Sequence, residues 1–368
     1  MDNEKILNKV KMKIAISKIN EEDIVMKKNR FNISKKMGMV ACLLIVTTGI
    51  VFASSIQNLL KNSFGDNASE GVQTAIDNGY IQNVVDPIYI ESDGIEIAVD
   101  SFLIDDYNFD MNFSVNLDKK YNSEEMRGII FYDMKVVDEN KDIVFLTTEA
   151  ETIMAKEQNR EVGQNYHPLF WGGYGMYAES IGENSLMFHL TAYGSEEHKF
   201  PKSKKLYVTF SKIQKDPFSN EFYTGNWNFE LDVPQEMYNR ETIIYKVKSC
   251  SDSKTKVGDA TLSNTAFKIN ILETTTDKID YDLIHTGKDI SEKRALGNEY
   301  VENSEGKRFE TSQRSDGDGG YSLASEPNLI VNYSQTFNLT KFDATDELKV
   351  HIFTNRGEEI IIEYEKSK

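Results

Sequence analysis

The sequence predicts a mainly β protein, two tandem β-sandwich domains behind a single N-terminal membrane-crossing helix. Three observations predict it. From Ile88 onward apolar and polar residues alternate with period two in short, turn-bounded runs. Met37 to Ala53 is seventeen residues without a charge, in a chain where 27% of residues are charged. The order of features in the first β-rich half returns in the second.

Residues 1–36 form a basic N-terminal tail, with ten Lys/Arg against five Asp/Glu, a balance of +5, so the rest of the chain carries −22 of the formal −17. Ile6, Leu7, Val10 and Ile14 recur at helical spacing between lysines, which predicts a short basic amphipathic helix. Two readings of its apolar face stand together: a helix lying on anionic lipid, and a docking face for a cytoplasmic partner.

Residues 37–60 are expected to cross the membrane. Seventeen apolar residues rise about 25 Å as a helix against a hydrocarbon core of about 30 Å, and Ser54 to Leu60 supply the missing length. Lys27, Lys28, Arg30, Lys35 and Lys36 stand just before the segment, which places the N-terminus in the cytoplasm and the bulk of the chain outside the cell membrane. Two competing readings remain, a cleaved signal peptide ending at Val51-Phe52-Ala53 and a buried core helix.

Residues 61–85 read as a membrane-proximal helical stalk, broken near Gly65-Asp66-Asn67. Residues 86–235 are the first β-sandwich domain. Gly94–Asp100 and Phe109–Leu117 alternate, the latter with an apolar residue at every odd position, so each is expected to show one dry and one wet face. Further strands are expected at Ile129–Val137, Ile143–Thr148, Ser185–Ala192, Leu206–Phe210 and Trp227–Val233. Pro234 to Arg240 is the expected junction, because a proline cannot continue a central strand. Residues 241–368 repeat the plan, with strands at Ile243–Val247, Asp259–Leu262, Phe267–Leu272, Glu299–Val301, Lys307–Glu310, Leu329–Tyr333, Leu348–Phe353 and Glu359–Tyr364. So short a junction predicts two domains in a fairly fixed end-to-end relation, a rod projecting from the membrane.

No GxSxG, SxxK or HExxH motif occurs, so no catalytic residue is assigned and no enzyme is expected. Cys42 and Cys250 are too few for a disulfide framework or a zinc set, and no cofactor is expected. Asp316-Gly317-Asp318-Gly319-Gly320 lacks the ligands of an EF-hand and reads as a turn. Acidic pairs such as Asp105-Asp106 and Glu196-Glu197 read as solvated surface. The acidity of the bulk opposes nucleic-acid binding. The most unusual loop is Tyr166 to Tyr177, five aromatics among three glycines: Trp171, Tyr174 and Tyr177 are the candidate ligand surface for a glycan or peptide, with the aromatics folding back over the end of a sandwich as the other reading.

The segments KKMGMVACLLIVTTGIVFASSIQNLLKN, GDNASEGVQTAIDNGYIQNV and DGIEIAVDSFLIDDYNFDMNFSVNL, about residues 35 to 120, resemble a family of membrane-anchored proteins of low-GC Gram-positive bacteria defined by the domain DUF4179. The C-terminal half looks like an immunoglobulin-like module that often accompanies it, which makes the expected ectodomain two tandem immunoglobulin-like β-sandwich domains. Members are frequently encoded beside extracytoplasmic-function sigma factors and treated as anti-sigma-like regulators. The resemblance therefore implies signal transduction, with a cytoplasmic sigma factor as partner of residues 1–36. The alternative is a structural or adhesive cell-envelope protein whose ectodomain binds an envelope polymer or protein. The lipid bilayer is a partner in both.

Overall fold

Alternation fixes which side of a strand faces the core, and in β3 (Ile95–Ile104) it changes phase midway: Ile95, Ile97 and Val99 are apolar at odd positions, Phe102 and Ile104 at even ones. The structure, a computed structural model, resolves the conflict with a bulge at Asp100, between the cross-strand pairs Val99↔Phe113 and Ser101↔Asn112. The extra residue restores the inward direction, so all five apolar side chains enter one core. The structure describes residues 69–84, 87–117, 130–159, 174–182, 184–194, 199–215, 220–275, 298–312, 320–322 and 329–367.

The first unit begins with helix α1 (Glu70–Asp77), whose Ser69 N-cap accepts from the Val72 amide. Strands β1 (Gln82–Asn83) and β2 (Ile90–Ser92) precede β3, and β4 (Asn108–Leu117), β5 (Ile130–Asp138) and β6 (Ile143–Leu146) follow it. Helix α2 (Thr148–Glu157) leads to β7 (Tyr174–Gly182), β8 (Ser185–Tyr193), β9 (Lys205–Gln214) and β10 (Phe222–Asp232), and a single turn, α3 (Gln235–Tyr238), closes the unit. One antiparallel sheet runs β1-β3-β4-β8-β7 with β2 also on β3, and a second runs β10-β9-β5-β6. They share a core. Phe113 and Phe188 of the first sheet meet Phe131 of the second at 4.9 Å each, edge to face.

The second unit holds β11 (Ile243–Cys250), β12 (Thr255–Val257), β13 (Ala260–Leu262), β14 (Phe267–Thr275), β15 (Tyr300–Asn303), β16 (Arg308–Glu310), β17 (Gly320–Ser322), β18 (Leu329–Phe337), β19 (Glu347–Phe353) and β20 (Glu359–Lys366). Its strand orders β13-β14-β18-β17 and β20-β19-β15-β16 repeat β3-β4-β8-β7 and β10-β9-β5-β6. One strand makes the difference. β11 pairs β13 through Ile243–Tyr245 and β20 through Tyr245–Cys250, so both halves fuse into one ten-stranded sheet. The sheet curls until Ser312 N donates to Thr336 O and Asn338 N to Glu310 O, tying β16 to β18.

Two separate cores result, one drawn from Val72 to Met237 and one from Tyr245 to Tyr364. The described part of the expected stalk belongs to the first: Val72, Ala75 and Ile76 of α1 are 0–2% exposed within it. An eight-residue helix is unstable alone, and the packing of those side chains is what holds it. The expected wet face of β4 is also a correction. Asp110, Asn112 and Ser114 are 0–1% exposed. The burial of Asn112 and Ser114 is tolerable because Asn112 joins Ser101 Oγ at 2.9 Å and His189 Nδ1 at 2.6 Å, while Ser114 meets the Tyr89 hydroxyl at 3.1 Å. Among the described residues no helix is long and apolar enough to cross a membrane; the expected span, residues 37–60, lies outside them.

Candidate functional site

The sequence-predicted site residues fall mostly beyond the described chain. Ile6, Leu7, Val10 and Ile14 lie outside the described residues, as does Trp171. Tyr174 and Tyr177 lie on β7, the last strand in its sheet's order, where they pair in register with Ala192 and His189. Gly320 opens β17, and 316–319, the rest of the expected turn, lie outside the described residues.

The greatest concentration of buried polar chemistry is instead the joint between the two units. It grows from two equivalent turns. Ile104↔Phe109 closes the β3–β4 hairpin and Leu262↔Phe267 the β13–β14 hairpin, so Asp105-Asp106-Tyr107-Asn108 and Ser263-Asn264-Thr265-Ala266 occupy the same place in each unit. The two turns face each other, and all eight residues are buried. Asp105 turns acceptor for both. Its Oδ1 takes the Tyr107 and Asn108 amides of its own turn at 2.8 Å, which shapes the hairpin. Its Oδ2 takes the Ser263 hydroxyl at 2.7 Å, the Thr265 amide at 2.9 Å and the Thr265 hydroxyl. Asn108 Nδ2 donates to the same Thr265 hydroxyl, and the Tyr107 and Thr261 hydroxyls are bonded.

Asp106 reaches the other way. Its Oδ1 receives Arg240 Nε at 2.8 Å and its Oδ2 the Thr242 hydroxyl. Arg240, two residues past the end of α3, spends its remaining donors on main-chain carbonyls: Nη1 to Met237 O at 2.9 Å, Nη2 to Phe200 O and, at 3.1 Å, to Pro201 O. A guanidinium so fully bonded can be buried, and its side chain is 2% exposed. The junction segment is therefore anchored rather than slack.

α1 closes the joint from one side. The Gly71 amide points at Asn338 Oδ1 at 3.4 Å, and a Cβ built on Gly71 would lie 2.0 Å from Thr265 O. Only glycine permits so close an approach. Tyr80, just past α1, donates to Ile104 O at 2.7 Å. Burial, and then the Asp105 charge, hold its hydroxyl well above the usual tyrosine range. Lys341 of the second unit lies 5.5 Å from the Tyr80 ring centroid; burial pulls its ammonium below the usual lysine range, with Asp105, Glu236 and Glu241 opposing. A cavity of about 20 Å³ between Ser69, Asn108, Thr265 and Lys268 has room for a single water.

Chemically this arrangement fastens. Neither turn carries a histidine or cysteine to serve as base or nucleophile beside its hydroxyls. Among the described residues no three His, Cys, Asp or Glu side chains are placed to hold a metal. A groove of about 540 Å³ on the second unit is lined by Glu302, Glu305, Glu347 and Glu363 with Lys248 and Lys349, but Glu302 pairs with Arg308 at 3.0 Å and Glu347 with Lys248 at 2.9 Å. At one end of the second unit, Glu273 accepts from Tyr333 Oη at 2.6 Å and the Asn355 amide at 2.8 Å, with Arg356 beside it. Sequence reasoning set Asp105-Asp106 on the solvated surface, and the joint was missed. The available signal was position: the pair sits in a four-residue turn between the apolar Phe102-Leu103-Ile104 and Phe109, where a solvated loop would carry more polar flanks.

No family model matches the chain, and no curated protein matches it. One solved chain it is similar to is "The crystal structure of the conserved domain protein from Bacillus anthracis", at 13% identity and a TM-score of 0.39, covering 75% of this chain and 80% of that one. A likeness so distant transfers neither a residue nor a role.

Proposed function

We propose that the chain is a single-pass cell-membrane protein, N-terminus cytoplasmic and bulk extracytoplasmic, that regulates an extracytoplasmic-function sigma factor in the manner of an anti-sigma factor. Its ectodomain is two tandem immunoglobulin-like β-sandwich units. The observation that carries the reading is the reversal of charge about Met37 to Ala53, +5 before it and −22 over the rest of the chain. The resemblance to the DUF4179 family supplies the sigma factor as partner of residues 1–36. The buried joint supports a receiving part that behaves as one body, because Asp105 accepts from Ser263 and Thr265 of the second unit and Asp106 from Thr242. Removing residues 1–36 should abolish co-purification of a sigma factor while the protein stays in the membrane fraction. An unchanged partner set after that deletion overturns the regulatory reading.

A second reading, an envelope-binding protein without a signalling role, is favoured by the place of Tyr174 and Tyr177 on the last strand of their sheet's order. On that reading the 69–368 fragment sediments with purified cell wall, and Tyr177→Ala weakens the sedimentation. The fragment begins at residue 69 because α1 belongs to the first core.

A further inference from the structure

The chain arriving from the N-terminal side enters the described structure at Ser69, beside the joint. The first turn of α1 touches both units at once. Val72 is fully buried in the first core, while the adjacent Gly71 lies against Thr265 and Asn338 of the second unit. Thr265 is the shared element. Its carbonyl is what a Cβ on Gly71 would strike, and its amide and hydroxyl are two of the donors that hold Asp105.

We infer that α1 and the joint form one coupled switch, in which Thr265 passes displacement between the seat of α1 and the fastening of the two units. Pushing Thr265 away from Gly71 pulls its amide and hydroxyl off Asp105; loosening Asp105 lets Thr265 move and frees the wall against which Gly71 is seated. Binding free energies couple reciprocally, so the effect runs in both directions. The fold contains the two elements such a device needs. One is a close backbone contact that cannot be compressed, the other a charged cage that holds or lets go. The inference rests on the membrane reading in one respect only, that the chain before Ser69 leads to the bilayer, so that an event at the joint is felt by the membrane-proximal segment.

The test uses full-length protein in lipid vesicles, separated by flotation and followed by hydrogen exchange. Gly71→Ala should speed exchange at the Thr265 and Asn108 amides, both bonded to Asp105, by roughly tenfold, the loss expected for about one net hydrogen bond. Asp105→Ala should speed exchange in the first turn of α1, at Val72 and Gln73, by a similar factor. Gly175→Ala, where an added Cβ meets nothing within 4 Å, should change neither. If Gly71→Ala lowers protection throughout β4 and β8, the first unit has unfolded, and Asn338→Ala, which removes the acceptor of the Gly71 amide without adding bulk, replaces it; by loosening the seat of α1 against Thr265 it should speed exchange at the same two amides, by less than tenfold. Exchange that changes only on the mutated side, α1 for Gly71→Ala or the two turns for Asp105→Ala, overturns the inference. Failure of the protein to float with vesicles overturns the membrane reading instead, and leaves the exchange result to decide the coupling by itself.

Discussion

Replacing Arg240 with alanine should be the most damaging single change at the joint, and the structure allows its size to be worked out. The substitution strips Asp106, whose side chain is 5% exposed, of its charge partner and leaves only the Thr242 hydroxyl on it. It also removes the donors to Met237 O, Phe200 O and Pro201 O. Breaking a buried pair from one side costs about 3–5 kcal/mol, because an uncompensated charge is left behind. With a urea dependence of about 2 kcal/mol per M, the midpoint of the first unit should fall by about 1.5–2.5 M. Asp106→Asn gives the contrast. It too leaves a buried charge without its counter-ion, but Arg240 keeps an oxygen for Nε and its three carbonyls, so the cost should be lower, about 1.5–3 kcal/mol. Urea titrations of the 69–368 fragment, read by tryptophan fluorescence and far-UV circular dichroism, measure both. Equal costs for the two variants, or less than about 1 kcal/mol for Arg240→Ala, would mean that water reaches the pair and that it is not the buried anchor described above.

Gly225→Ala should destabilise the first unit by about 1–3 kcal/mol, the usual penalty for overpacking. An added Cβ would lie 2.3 Å from the ring of the fully buried Trp227, so a thermal melt should show the loss and Trp227→Phe should recover part of it; no recovery would refute the clash. Acid should weaken the second unit through Asp252. Burial opposes its ionisation, but the Thr255 hydroxyl, the Lys254 amide and Arg356 outweigh burial and hold the carboxyl below the usual aspartate range. With the folded value below the unfolded one near 3.9, the contribution is present above about pH 3.9 and is lost as pH falls through the lowered folded value. Asp252→Asn should flatten that part of the profile, and an unchanged acid limb in urea titrations at successive pH values would refute the assignment.

How much of this was legible in the sequence depended on the range of the interaction. The mainly β character was, because alternation is local: Asn108–Leu117, Ser185–Tyr193 and Leu348 to Phe353 each announce themselves within ten residues. Helix α2 was missed although Thr147, two glutamates in the first turn and then Ala, Met and Lys are ordinary helix signals, because a strand was expected to run on through Thr148. β7 was missed because Gly172, Gly173 and Gly175 read as loop, and pairing with β8 overrides that local preference. The bulge at Asp100 left a trace in the phase of the apolar residues. The joint left almost none. Asp105 and Ser263 are 158 positions apart, and no periodicity connects them. What makes an acidic pair tolerable in a dry place is a set of donors that only the folded chain assembles.

The two turns that meet at the joint occupy equivalent places in equivalent units, yet their side chains are opposites in hydrogen-bonding terms. Asp105 brings only acceptors, while Ser263 and Thr265 bring hydroxyls and an amide that donate to it. Had the second turn kept an aspartate at the position of Asp105, two carboxylates would face each other in a dry interface and one would have to take up a proton or leave. The same reasoning disfavours a joint between the first units of two copies, which would oppose aspartate to aspartate, and so favours closure within one chain. Ser263→Asp recreates that conflict. It should open the joint near neutral pH, seen as a larger radius of gyration in solution scattering and faster exchange at the Thr265 amide. A joint that stays shut at pH 7 with Asp at residue 263 would mean that complementarity of the turns does not hold the units together, and that the Asp106–Thr242 bond and the seat of α1 do so without it.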